Sequence, residues 1–176
     1  MNLLIIGAGE HGSVVKETAE AMNKFIKIDY LDDQSDQAIG KCNAYETFIQ
    51  DYGCAFVALG NNETRSHWCK KLELAGYQLP VLIHPTAYVS PSAKIELGVV
   101  VLPRASIHTK AVIKQGSIVG IGSLIDHDAT INAFCHINTG AIIKARATLS
   151  HYSKIDTGET YPKEPFNQEY RHELGV

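Results

Sequence analysis

The sequence predicts an α/β unit over residues 1–83 joined to an all-β unit over residues 84–158, with a tail at 159–176. Two observations predict it. The first half alternates short apolar runs with amphipathic stretches, the pattern of strands and helices in a parallel sheet. The second half repeats every six residues, a period that neither a strand nor an α-helix produces.

Taking the first half in order, 3–6 reads as a short buried strand. Residues 11–23 read as a helix that turns Val14, Val15, Ala19 and Met22 inward. Ile26, Ile28 and Tyr30 alternate in a second strand that ends at Asp32. A second helix is expected at 44–52, a third strand at 54–59 and a third helix at 63–75, closed by Gly76. The first turn, Gly7-Ala8-Gly9-Glu10-His11-Gly12, satisfies G-x-G-x-x-G between a strand and a helix. Asp32 and Asp33 follow about 20 residues later. Such a loop lets backbone amides approach a phosphate. Alone, the motif points to NAD. A full dinucleotide fold needs two mononucleotide halves, however, and 1–83 holds barely one. A Rossmann-like half-site for one nucleotide diphosphate is the favoured reading, with an NAD-binding protein as an alternative. Glu10 places a carboxylate in this loop, which opposes an anionic ligand.

From Ala87 the chain divides into twelve hexads, ending at Gly158. The third position is aliphatic each time: Val89, Ile95, Val101, Ile107, Ile113, Val119, Ile125, Ile131, Ile137, Ile143, Leu149 and Ile155. The first position is always Ala, Ser, Cys or Val. A short strand that sends one aliphatic side chain inward, then turns at a small residue, builds a triangular coil from three hexads. Stacked coils sit ~4.8 Å apart and bury their aliphatics against one another, so no coil is stable alone. The prediction is a parallel β-helix of about four coils.

Composition narrows the function. Lys plus Arg is 16 and Asp plus Glu is 19, with no block of like charge, which argues against a nucleic-acid arm or a polybasic membrane patch. No apolar run approaches the roughly 18 residues of a membrane span. The start lacks a signal peptide's charged region and cleavage site. Cys42, Cys54, Cys69 and Cys135 are widely spaced and read as reduced thiols in a cytoplasmic protein.

The runs LLIIGAGEHGSVV, YLDD, FVALGNNETR and LIHPTAYVS, in this order, resemble the hexapeptide-repeat sugar O- or N-acyltransferases of the sialic acid O-acetyltransferase type. That family includes bacterial UDP-4-amino-sugar N-acetyltransferases. The resemblance implies a left-handed β-helix, acetyl-CoA as co-substrate, no metal, and a nucleotide sugar held by the first half. It carries nucleotide-sugar binding to Gly7, Gly9, His11, Gly12, Asp32, Asp33, Gly60, Asn61, Asn62 and Arg65. It places the catalytic histidine at His127, oriented by Asp128, and a second histidine near the thioester at His136.

Acetyl transfer needs a base for the acceptor's proton and a donor for the oxyanion. Ala145 lies 18 residues after His127, one coil on, so its N–H is the expected oxyanion donor, a role the family fills with a backbone amide. His108, His127 and His136 raise a zinc reading, but the H-x4-H pairing of histidine-ligated relatives is absent and no metal is expected. Few hexads follow His127, and Pro162 and Pro165 end the ladder. A tail that folds over CoA favours an enzyme. Without it, the alternative is a weak or inactive relative that binds a nucleotide sugar or serves as a scaffold. Val99, Val100, Leu102 and Ile121 are apolar at outward or corner places and predict an interface. The expected assembly is a homotrimer, with the active site shared between neighbours.

Overall fold

In the computed structural model, which describes residues 1–162, the first half is a four-stranded parallel sheet. Its strands are β1 (Asn2–Ile6), β2 (Lys27–Leu31), β3 (Ala38–Gly40) and β4 (Cys54–Val57), in the order β3-β2-β1-β4. The apolar run of β1 feeds both faces of this sheet. Leu3 and Ile5 pack with Val15, Ala19 and Phe56, whereas Leu4 and Ile6 pack with Tyr52, Val57 and Leu72. Burial on both sides is why β1 shows no polar alternation. The helices α1 (Glu10–Ala21) and α2 (Asn62–Leu74) follow β1 and β4.

Three local expectations are corrected. The segment expected as a helix at 44–52 is a 3-10 helix, Cys42–Phe48, whose half-buried Cys42, Tyr45 and Phe48 recur every three residues, the period of that tighter helix, and pack on the core. Ile26 lies outside β2 and is 87% exposed. β3 was not anticipated; three residues added to a sheet edge are too few to show a period.

In the second half, two-residue strands occupy the second and third positions of each hexad. The third-position side chains form one buried column with the small first-position residues, among them Ile107, Ile113, Ile125, Ile131, Ala111 and Ala129. Strands pair in parallel with those 18 residues away, as Val112 does with both Lys94 and Thr130. The ladder extends one hexad past each end of the expected run: Leu82–Ile83 pairs with Val100–Val101, and Thr160–Tyr161 pairs with Ile142–Ile143. The first rung therefore precedes residue 84.

Every sixth position from Gly98 to Gly158 has a positive φ: Gly98, Gly116, Gly122, Gly140 and Gly158, and also Arg104, Lys110, Asp128, Phe134, Arg146 and Tyr152. For a residue with a Cβ this left-handed state costs roughly 1–2 kcal/mol, which the stacked ladder imposes.

The strands fall into three sheets, the faces of a prism. One face contains Leu82–Ile83, Val100–Val101, Ile118–Val119, His136–Ile137 and Lys154–Ile155. The first half covers it, with Leu82, Val100, Leu102 and Ile118 packing against the Leu3–Ile5–Val15 cluster. The expected interface patch is corrected accordingly. Val99 and Val100 are fully buried, Val99 inside the prism and Val100 under the first half, and Leu102 is buried beside it. Ile121 remains exposed. The apolar surface left open lies on another face, where Tyr88, Leu124 and Ile142 are 53%, 45% and 37% exposed in one ladder with Ser106 and Thr160. No helix among the described residues is long and apolar enough to cross a membrane.

Candidate functional site

The candidate residues gather at two places. The first is the cleft beyond the carboxyl ends of β1 and β4. Gly7 has φ +101°, and a Cβ on Gly12 would lie 2.3 Å from the Gly7 carbonyl oxygen. Both glycines are required by this close turn. A Cβ on Gly9 would meet nothing within 4 Å, so Gly9 faces open space.

Asp32 fastens the loop from below: it accepts from the Ala8 N–H at 2.8 Å and from the N–H groups of Gln34 and Ser35 at 2.8 and 2.9 Å. These bonds, Ala8 first, hold its carboxyl below the usual range. Asp33 accepts from the Cys42 N–H at 2.9 Å. Both acids thus organise backbone. Glu10 is exposed at the first residue of α1, where the helix dipole favours an acid.

Asn61 caps α2 by accepting from the Thr64 N–H at 2.8 Å. Asn62 donates to the Tyr152 carbonyl at 2.8 Å, tying this loop to the β-helix. Gly60, Asn61, Asn62, Glu63, Tyr152 and Lys154 line a polar cleft of about 470 Å³. Tyr152 and Lys154 were not anticipated. Repeat arithmetic offered a signal for Lys154: it is the rung after His136 and pairs with it directly.

Arg65 is only 1% exposed, and its guanidinium has no donor left for a ligand. The expectation that it reaches the nucleotide is corrected. His136, expected near the thioester, lies on the covered face, against His11, with ring centroids 6.3 Å apart. His11 Nε2 and His136 Nδ1 are buried with no hydrogen-bond partner. Burial, then the charges of His136 and Arg65, pushes His11 down to about 4. Burial, then Arg65, does the same to His136.

The second place is the prism edge at His127. This corner joins the Leu124–Ile125 strand to the Thr130–Ile131 strand, which belong to the two faces the first half leaves uncovered. It is the edge opposite the His136 face, so within one chain His127 and His136 are on opposite sides of the prism. His127 Nδ1 lies 2.8 Å from Asp128 Oδ2, with the two side chains 38% and 43% exposed. The left-handed backbone at Asp128 (φ 58°) turns its carboxylate back onto the ring.

The His127 hydrogen bond, then the charges of Lys110 and Arg146, holds the Asp128 carboxyl below its usual range. Ionised, it only accepts, so His127 Nδ1 carries the hydrogen, and in the neutral ring the lone pair is then on Nε2. Arg146 donates to the His127 carbonyl at 3.0 Å, which sets Ala145 on the adjacent rung. Among the described residues nothing accepts from the Ala145 N–H. His108 stands beside His127, rings 6.3 Å apart, yet no group of three or more His, Cys, Asp or Glu among the described residues is placed to hold a metal.

Comparison with known proteins joins these features. Residues 2–72 match the family described as the PglD N-terminal domain. The acetyltransferase domain of PglB from Neisseria gonorrhoeae is 37% identical with TM-score 0.87, over 90% of this chain and 81% of that one. The same domain in complex with acetyl coenzyme A matches at 36% identity and TM-score 0.84, over 90% and 80%. A mutant perosamine N-acetyltransferase from Caulobacter crescentus, in complex with CoA and GDP-perosamine, is 25% identical with TM-score 0.82, over 91% and 82%. The loop glycines, the stacked hexads and the His–Asp corner are thus parts of one design: the chain is an acyltransferase and belongs to the hexapeptide-repeat sugar acyltransferases that include these amino-sugar N-acetyltransferases.

Proposed function

We propose that the protein transfers an acetyl group from acetyl-CoA to the amino group of a nucleotide-linked amino sugar, with His127 as general base. The observation that carries this is the His127–Asp128 pair, whose hydrogen bond leaves Nε2 unprotonated at an exposed edge. In this reading Nε2 takes a proton as the sugar nitrogen attacks the thioester carbon. The oxyanion is met by the unpaired Ala145 N–H on the next rung. The C–S bond then breaks, an amide forms, and CoA leaves as its thiol. Pre-positioned donors of this kind contribute about 3–4 kcal/mol to such transition states. The β-helix is left-handed with about four full coils, and a Rossmann-like unit of about 83 residues holds the nucleotide near Gly7, Gly9, Gly12 and Gly60.

The nucleotide cleft, lined by Tyr152 and Lys154, and His127 lie at different edges of one prism, and in this reading the complete site draws on a second copy. A homotrimer supplies it: the exposed Tyr88, Leu124 and Ile142 ladder ends beside the His127 corner and offers the contact surface. Of the tail read at 159–176, whose folding over CoA would favour an enzyme, residues 163–176 lie outside the described residues. The reading gains support from neighbours crystallised with acetyl coenzyme A, or with CoA and GDP-perosamine. To test it, release of CoA thiol is followed with acetyl-CoA and a panel of UDP- and GDP-linked amino sugars. Transfer to at least one, with a sharp loss when the amino group is replaced by hydroxyl, supports the reading. A melting temperature raised by NAD but by no nucleotide sugar would sink it.

A further inference from the structure

The least expected side chain in the molecule is Arg65. A buried cation is normally met by a carboxylate, because its desolvation costs several kcal/mol. Arg65 has none. Its Nε donates to the Gly116 carbonyl at 2.7 Å. One terminal nitrogen donates to the carbonyls of Leu59 and Gly60 at 2.9 and 3.3 Å. The other donates to Asn62 Oδ1 at 2.8 Å and to the carbonyls of Phe134 and Cys135 at 3.2 and 3.3 Å. Three acceptors lie on the loop between β4 and α2, and three lie on corners of the β-helix.

An apolar side chain of similar volume would fill this space but leave these oxygens without the guanidinium donors. It could not fix six acceptors in direction, which a planar guanidinium does. The loop so fixed is the one whose Gly60 and Asn62 line the cleft, and the β-helix segment so fixed adjoins His136. Besides these acceptors, the titratable groups facing Arg65 are His11 and His136 from α1 and the covered face, and Cys69 and Cys135.

We propose that Arg65 is a positioning residue that locks the Gly60–Asn62 loop to the β-helix and so holds the nucleotide-sugar cleft in its binding shape. This rests on the function proposed above. The role is distinct from ligand contact, since no guanidinium hydrogen faces the cleft.

The test compares R65K, which keeps the charge but loses the fork, with R65M, which loses both. KM for the nucleotide amino sugar that the wild type acetylates is expected to rise about tenfold or more in R65K, while KM for acetyl-CoA stays within about twofold. Two further arms need no substrate. Amide exchange at residues 60–63 is expected to accelerate in R65K, while β1 keeps its protection. In R65M the His11 and His136 rings, followed by NMR, are expected to titrate nearer the ordinary histidine value, because the charge beside them is gone; in R65K they stay low.

If R65M does not fold, R65K decides. A folded R65K with wild-type KM and unchanged exchange at 60–63, only less heat-stable, overturns the proposal. If the wild type acetylates no nucleotide amino sugar, the functional reading fails, and the exchange and titration arms still decide the positioning role.

Discussion

The two halves of the chain place chemistry by opposite means. In the first half, function sits in loops that differ from one another: a glycine turn, an Asp32 brace and an Asn61 cap, each held by its own contacts. In the second half the corners repeat one left-handed backbone, and the function we propose there is a choice of side chain at a fixed position, as at His127 and Asp128. The first half therefore depends on particular glycines. The second depends on a buried aliphatic column that is blind to what its corners carry. A change in one half should accordingly fail differently from a change in the other.

The largest effect is expected from His127→Ala. The side chain is exposed and outside the column, so melting should barely change while turnover falls about 10²–10⁴-fold. A purified variant with near-normal transfer rates would separate the corner from the chemistry. Next comes Ile131→Ala, inside the column and fully buried. It should cost about 2–5 kcal/mol in chemical denaturation, because the stacked rungs collapse poorly around a gap. A cost under about 1 kcal/mol would show that the column tolerates voids, contrary to close packing.

Gly12→Ala should cost about 1–3 kcal/mol, since its Cβ meets a backbone oxygen that cannot move aside. Gly9→Ala, with open space around it, should be nearly silent in stability. Equal losses for the two would mean that the turn responds to composition and not to the Gly7–Gly12 approach.

The smallest effect is on pH. His11 and His136 are pushed down to about 4 from 6.5 in the folded chain. Below pH 6.5 the unfolded chain takes up these protons first, so stability is full above that value. It is lost as pH falls toward 4, by about 1–2 kcal/mol for a partly exposed pair. Unfolding free energies at pH 7 and pH 4.5 measure it. A His11→Asn, His136→Asn double variant should flatten the slope, and an unchanged slope would place the acid sensitivity elsewhere.

The same contrast explains what could be read in advance. The repeat was legible because one requirement, an inward aliphatic, recurs at a fixed interval. The resemblance pointed to the His127 corner, and the repeat then named its rung partner Ala145 without any contact being known. The parallel sheet was legible from alternation, and the tight turn from its glycines. Arg65 was not: nothing in the string distinguishes a guanidinium that meets a ligand from one that meets six protein oxygens. The covering of His136 could not be read for a related reason. The repeat assigns it a rung and a face, but which face the first half covers is decided by Val100, Leu102 and Ile118 packing against Leu3 and Ile5. That is long-range information carried by no motif. The same covering removed Val100 and Leu102 from the expected interface, Val99 points inside the prism, and Tyr88, Leu124 and Ile142 are left in their place.

The left-handed corners have a consequence for descent. Because the ladder imposes the same turn on Gly122, Asp128 and Arg146, replacing Asp128 by glycine would relieve strain while ending the bond that orients His127. In the function we propose, mutation toward glycine is thus downhill for folding and ruinous for turnover. A lineage released from selection for that activity should drift to glycine at this corner first, and would leave behind well-folded copies with no acetyl transfer.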